Sequence, residues 1–288
     1  MIKNFNKNLK GIFFVILASI FFSLMAMFIK LSSTNLIVLE IIFIRSLLSF
    51  CLLILILKNR KIKLKTKVFN LHLLRSIIGL SAMFLMYYSI SKLPLSNVAI
   101  VSFTKIFFII PLAIFFLKEK INTISIILII IGYSGVVIVI GFDNDTENII
   151  YYSLTIFSAF LIAVVKIFIK KISLYDEALV MQFWFASFCL IFLTVPYFFF
   201  AKLPSLNDFI LVFFATFTGL LAQFFTIKGL KNSEANVVMP FDFSRVIFGI
   251  ILGVVFFSDE INKTMIIGTT LLLLSGYFLA LYNTKSKV

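Results

Sequence analysis

Ten uninterrupted apolar stretches, each about 20 residues long, follow one another along the 288-residue chain. Stretches of this length can cross the hydrocarbon core of a bilayer as helices. Because the apolar runs are continuous rather than alternating, they exclude a β-barrel. Hydrophobic residues make up 62% of the chain and charged residues 13%, which excludes an ordinary soluble domain and a disordered chain. We therefore predict an all-α polytopic membrane protein with spans at 11–29, 38–57, 71–91, 97–117, 121–141, 149–169, 178–200, 209–227, 235–257 and 264–282.

The basic residues outside the spans are distributed unequally between the two sides of the membrane. Ten spans place both termini on one side, and 17 Lys or Arg lie in the segments of that side against four on the other. Cytoplasmic segments carry such an excess, so both termini are predicted to be cytoplasmic. The net charge of +14 is thus interpreted as a topology signal, and no nucleic-acid partner is expected. Cys51 and Cys189 lie within spans, which indicates neither a disulfide framework nor a metal site.

The two halves of the chain share residues at one offset. A shift of 141 residues places Glu119 on Glu260, Thr123 on Thr264, Ser134 on Ser275 and Gly135 on Gly276. We interpret the chain as two five-helix repeats, residues 1–142 and 148–288. Five is odd, so the second repeat must cross the membrane upside down, with Glu119 facing the cytoplasm and Glu260 the outside. Inverted repeats are typical of secondary transporters that hold substrate near the midplane between the halves.

Several short motifs resemble a known family. They are Tyr87-Tyr88-Ser89-Ile90-Ser91-Lys92-Leu93-Pro94-Leu95, Ser102-Phe103-Thr104, Phe116-Leu117-Lys118-Glu119, Phe43-Ile44-Arg45-Ser46, Met239-Pro240-Phe241-Asp242-Phe243-Ser244-Arg245 and Phe256-Phe257-Ser258-Asp259-Glu260. Together they resemble the drug/metabolite transporter superfamily, specifically the ten-helix EamA type, over essentially the whole chain. The pattern is closest to the branch that includes bacterial S-adenosylmethionine uptake carriers. The resemblance implies a carrier of small metabolites or drugs in a bacterial inner membrane.

The chain departs from the family pattern in the fourth span. The family usually has Ser-Pro after the Ser-Phe-Thr segment, where this chain has Lys105 and Ile106, and a proline appears at Pro111. The helix break that the family implies is therefore predicted about a turn and a half later.

Ionisable residues within the spans are the candidate functional groups, because each one is costly in hydrocarbon unless it is paired, hydrated or functional. The predicted substrate-binding residues are Lys105, Asp242, Arg245, Tyr88, Phe103, Glu40 and Arg45. Lys105 is expected to bind an anionic substrate group or, in the empty protein, a carboxylate such as Asp242. Asp242 and Arg245 share a helix face, so they could instead pair with each other.

The remaining candidates have more specific or weaker assignments. Glu40 is considered as a proton carrier or counter-ion, and Tyr88 and Phe103 as rings that stack on a planar or cationic substrate. Arg75 is interpreted as an anchor near the cytoplasmic surface, and Lys166 as a residue that reaches that surface along its stem.

These observations predict a secondary transporter of a small organic metabolite. Cations outnumber carboxylates within the spans, which favours a carboxylate-bearing amino acid or amino-acid derivative, with S-adenosylmethionine as one possibility from the resemblance. The chain has one His and no His/Asp or Cys/His cluster, so an enzyme is disfavoured. No GxxxxGK[ST] loop is present, so ATP is not expected to drive transport directly. The alternative is a non-transporting membrane scaffold or accessory subunit. Lipid and a coupling proton or ion are the expected partners, no cofactor is expected, and the protein would be a monomer or homodimer.

Overall fold

The computed structural model describes residues 2–118, 123–141, 146–200 and 204–285, and over these ranges it consists of helices and the turns that join them. The helices are α1 (Ile2–Ser32), α2 (Val38–Asn59), α3 (Phe69–Lys92), α4 (Leu95–Ser102), α5 (Lys105–Leu117), α6 (Thr123–Gly141), α7 (Thr146–Ile172), α8 (Ala178–Phe200), α9 (Leu206–Asn232), α10 (Ala235–Val238), the 3-10 segment Met239–Phe243, α11 (Ser244–Phe257) and α12 (Lys263–Lys285).

These helices make ten apolar crossings within the described ranges. Nine are long and apolar enough to span a membrane, with Leu95–Leu117 and Met239–Phe257 each forming one crossing from more than one helical segment. The tenth, α12, is apolar over Lys263–Leu279. The predicted fold class is confirmed: an all-α, ten-helix membrane protein. We call the end of the bundle where α1 begins the terminal end, and the other the opposite end.

The distribution of polarity across the bundle is that of a protein dissolved in lipid. Large aromatic side chains point outward, with Phe115 81% and Phe198 80% exposed. Charged side chains are buried instead, with Arg75 only 1% and Lys105 only 2% exposed. Because hydrocarbon solvates apolar groups and not charges, this arrangement is stable only in a bilayer.

Helix packing joins the two halves and repeats itself when they are exchanged. α1 packs along α9 and α3 along α7, which are equivalent pairs if α1 corresponds to α7 and α3 to α9. α2 packs against α8, and α6 against α12, so each of these helices contacts its own counterpart. The packing is therefore that of two inverted five-helix repeats, with the interface between them running through the bundle. Glu119, one member of the predicted glutamate pair, lies outside the described residues.

The structural correspondence between the halves is 140 residues through the first nine-tenths of each repeat's broken helix, one less than the offset read from the sequence. α2 and α8 begin at Val38 and Ala178, and α5 and α11 end at Leu117 and Phe257. The residues that follow these two ends, Lys118 and Ser258, both have positive φ, 56° and 55°. With this offset Lys105 corresponds to Arg245 rather than lying beside it.

A pair of lysines makes the same contact in each half. Lys30, in the last turn of α1, donates a hydrogen bond to the carbonyl of Leu93 at 2.5 Å. Lys170, 140 residues later in the last turn of α7, donates to the carbonyl of Ser233. Leu93 and Ser233 are the C-cap residues of α3 and α9, where a cation offsets the helix dipole. Successive crossings alternate in direction, so the two contacts lie at opposite ends of the bundle.

The break in the fourth crossing lies at Phe103–Thr104, directly before Lys105, and the prediction that it had moved toward Pro111 is wrong. Pro111 lies inside α5. At the break the amides of Phe103 and Thr104 bond to carbonyls three residues back instead of four. The hydroxyl of Thr104 donates to the carbonyl of Val101 at 2.7 Å, which competes with the regular helical bonds. The equivalent position in the second half is the 3-10 segment Met239–Phe243.

Candidate functional site

A cavity of about 700 Å³ lies between the two halves; we call it the central cavity. Its lining includes Phe22, Arg45, Arg75, Tyr87, Lys166 and Arg245, which come from α1, α2, α3, α7 and α11. A smaller side cavity of about 400 Å³ adjoins it and shares Arg45, Arg75, Met83, Phe185 and Gln223. The volume of the central cavity is that of a small-molecule site, and it is built by both repeats.

Arg45 enters the cavity from α2. Its Nη1 donates to the hydroxyl of Tyr87 and lies 2.9 Å from the sulfur of Met83. Gly219 on α9 makes room for it, because a Cβ there would lie 2.6 Å from Arg45 Nη2. The guanidinium is thus held in place by packing and one hydroxyl, with no carboxylate.

Arg75 enters from α3 and lines both cavities. Its Nη1 donates to the carbonyl of Met181 at 2.8 Å, and its guanidinium lies 5.1 Å from the centroid of the Phe185 ring. Phe185 corresponds to Arg45 across the repeats and lies against Gly79 as Arg45 lies against Gly219. Arg75 is 1% exposed, so its interpretation as a surface anchor is wrong: its side chain turns into the bundle.

Lys166 and Arg245 share one aromatic partner. Lys166 Nζ lies 5.4 Å and the Arg245 guanidinium 4.5 Å from the centroid of the Phe22 ring. Both are cation–π distances. Lys166 is 7% exposed and lines the central cavity, so it does not reach the membrane surface as predicted.

Three buried polar atoms around the two cavities have no hydrogen-bond partner among the described residues. They are the Nε atoms of Arg45 and Arg75 and the Oε1 of Gln223. Buried polar atoms are rarely left unpaired, because each forfeits its bonds to water. Two donors and one acceptor are therefore available to a bound molecule.

Lys105 and Asp242 form a buried ion pair at the two helix breaks. Lys105 Nζ contacts Asp242 Oδ2, and Ser19 donates to Asp242 Oδ1 at 2.6 Å. The pair links the first half of the chain to the second, in the arrangement expected for the empty protein. Lys105 does not line either of the two cavities, whereas Arg245, one turn from Asp242, lines the central one.

The other three predicted site residues lie elsewhere. Glu40 caps the start of α2, accepting a hydrogen bond from the Ile37 amide at 2.8 Å. Tyr88 is 37% exposed and lies edge-on against Tyr151, away from both cavities. Phe103 is 1% exposed and packs at the helix break against Phe107.

The sequence analysis underrated four lining residues: Arg75, Lys166, Tyr87 and Gln223. A signal for the first two was present, because they belong to the five Lys or Arg that lie within spans. Their estimated depth favoured a surface role, and only helix packing shows that they turn inward. Tyr87 differs from its neighbour Tyr88 only by the helix face that it occupies, and the sequence gives no reason to prefer either.

Each end of the bundle has a carboxylate contact between the halves. At the terminal end Asp176 Oδ2 lies 2.8 Å from His72 Nε2 and accepts from Thr66 at 2.6 Å. At the opposite end Asp259 Oδ2 accepts from the amide and hydroxyl of Ser96, at 2.8 and 2.7 Å. We call these contacts the terminal clasp and the opposite clasp. The cavities lie in the span between them.

Comparison with known proteins identifies relatives over nearly the whole chain. An "uncharacterized transporter" of Helicobacter pylori is 24% identical over 286 residues, covering 96% of each chain. The pseudopaline exporter CntI of Pseudomonas aeruginosa is 23% identical and also covers 96% of each chain. An S-adenosylmethionine uptake transporter of Rickettsia conorii is 24% identical, covering 77% of this chain and 75% of its own.

A solved crystal structure has the same fold, with a TM-score of 0.74 and 14% identity over 96% of this chain and 99% of that one. The model of the EamA-like transporter family matches twice, at residues 9–141 and 149–281. These two matches correspond to the two sets of five crossings. The chain is a multi-pass membrane protein that belongs to the EamA-like transporter family, whose members carry small molecules.

Proposed function

We propose that the protein is a secondary transporter of a carboxylate-bearing small metabolite, such as an amino acid or amino-acid derivative. The observation that carries this proposal is the charge of the central cavity. Arg45, Arg75, Lys166 and Arg245 all line it, and no Asp or Glu does. None of the four forms an ion pair with a carboxylate of the described residues.

The cost of this arrangement supports a binding role. A Lys or Arg at the centre of a membrane helix costs roughly 2.5–3.5 kcal/mol on insertion scales. Four such cations in one cavity also repel one another at short range through a medium of low dielectric constant. An anionic substrate removes both penalties while it is bound.

The architecture supports alternating access. We propose that the repeats, residues 1–142 and 148–288, rock about the central cavity. The Lys105–Asp242 pair connects their two broken helices, and the clasps close the two ends. Opening either clasp would connect the cavity to one side of the membrane, so the two are expected to open in turn.

We further propose that the protein lies in a bacterial inner membrane with its terminal end cytoplasmic. The 17-to-4 distribution of basic residues supports this orientation. After replacement of Cys51 by serine and Cys189 by alanine, Asn262→Cys is expected to react with an impermeant thiol reagent in intact cells. Lys63→Cys is expected to react only after permeabilisation. Labelling of Lys63→Cys in intact cells would reverse the proposed topology.

Transport is tested with purified protein in proteoliposomes and radiolabelled solutes. Amino acids with acidic side chains and their N-substituted derivatives are expected to be taken up, and amines without a carboxylate are not. S-Adenosylmethionine is the informative contrast, because it carries a net positive charge that four cavity cations oppose. Uptake of amines or of S-adenosylmethionine alone would refute the carboxylate assignment. Absence of transport for every solute would favour the scaffold or accessory-subunit alternative.

A further inference from the structure

We propose that the substrate carries two anionic groups, one bound by Lys166 and Arg245 and the other by Arg45 and Arg75. This inference rests on the proposed function and specifies its substrate class. It also assigns Arg75 and Lys166, which were interpreted from the sequence as surface residues, to substrate binding.

The first pair of cations is defined by the ring that they share. Lys166 and Arg245 come from α7 and α11, and both lie within 5.4 Å of the centroid of Phe22. Lys166 makes no hydrogen bond or ion pair with a described residue, and its contact with the ring is its only recorded polar interaction. An anionic group at this position would replace repulsion between the two cations by attraction to both.

The second pair lies where the central and side cavities meet. Arg45 and Arg75 line both cavities, whereas Lys166 and Arg245 line only the central one. Each of the two arginines has a buried Nε without a partner. A guanidinium donates two parallel bonds to a carboxylate or a phosphate, so the free Nε donors fit an anionic group of that shape.

Separate partners keep the two pairs apart. Arg45 is fixed by Tyr87 and Met83, and Arg75 by the carbonyl of Met181. These contacts direct both guanidiniums away from Phe22, where the first pair lies. One small anion could satisfy one pair, and a molecule with two anionic groups is needed to satisfy both. The unpaired Oε1 of Gln223, which lines both cavities, would accept a hydrogen bond from the atoms between them.

Binding to the detergent-purified full-length protein, measured by isothermal titration calorimetry, tests the proposal. The probes are malonate, succinate, glutarate and adipate, each with its monoamide and diamide, so that length is constant while charge changes. O-Phosphoserine beside glutamate distinguishes a phosphate from a carboxylate. At the length that fits best, the dicarboxylate is expected to bind at least about tenfold more tightly than its monoamide, the scale of one charge-assisted hydrogen bond.

Variants assign the two groups to their pairs. Lys166→Met and Arg75→Met are each expected to reduce the affinity for the dicarboxylate about tenfold, to that of the monoamide. Lys92→Met removes the same charge from an exposed position beside Tyr88 and is expected to leave both affinities unchanged. An equal loss in Lys92→Met would show an effect of net charge alone and would overturn the assignment.

The outcomes separate this inference from the proposed function. Equal affinities for dicarboxylate and monoamide, with uptake of both, would overturn two-group binding and leave a carboxylate transporter. Binding of S-adenosylmethionine and of no carboxylate would overturn both. If Arg75→Met fails to fold, the comparison of dicarboxylate with monoamide in the wild-type protein still decides whether two anionic groups are bound.

Discussion

Replacing Lys105 by methionine is expected to abolish transport and to lower the stability of the protein. Asp242 would then be a buried carboxylate with Ser19 as its remaining direct partner. Removing one partner of a buried ion pair typically costs about 3–5 kcal/mol, because the other charge stays uncompensated. Thermal unfolding in detergent and proteoliposome uptake measure the two effects separately.

A double variant distinguishes the structural role of the pair from its transport role. Lys105→Met combined with Asp242→Asn removes both charges, so most of the lost stability is expected to return. Transport is expected to remain absent, because the connection between the two broken helices would lack its ion pair. Full transport by Lys105→Met, or recovery of transport in the double variant, would show that this pair only stabilises the fold.

Breaking the two clasps is expected to change accessibility in opposite directions. Asp259→Ala removes both bonds to Ser96 and should favour opening at the opposite end. Asp176→Ala removes the partner of His72 and Thr66 and should favour opening at the terminal end. A hydrogen bond to a charged group contributes about 1.5–3 kcal/mol, so each change should shift the population about tenfold or more.

The readout is a cysteine in the cavity. Met83→Cys, in a background without Cys51 and Cys189, should react faster with an impermeant reagent from the outside in Asp259→Ala. In inverted membrane vesicles it should react faster in Asp176→Ala. Glu260→Ala and Glu177→Ala are matched controls, since each removes an exposed carboxylate next to a clasp residue. Equal changes at both sides in either clasp variant would contradict the gating role.

The sequence by itself determined the ten-helix class of this protein. Apolar runs of about 20 residues leave no soluble alternative, since lipid requires every backbone polar group to be bonded within a helix. The internal match at 141 residues also predicted the inverted repeat, although four identities are too few to fix the offset through every loop. The structure gives 140 up to the end of α5, which makes Lys105 and Arg245 equivalent.

The composition of the site was decided only by tertiary structure. Sequence position gives the depth of a charge along its helix, but not the face that it occupies. Arg75 and Lys166 therefore resembled surface residues, while the packing of α3 and α7 against each other turns both toward the central cavity. Glu40 resembled a site residue because it is a charge near a span, but it caps the start of α2. Which charges meet depends on contacts between helices more than 100 residues apart, such as Lys105 with Asp242, and these form only when the two repeats pack together.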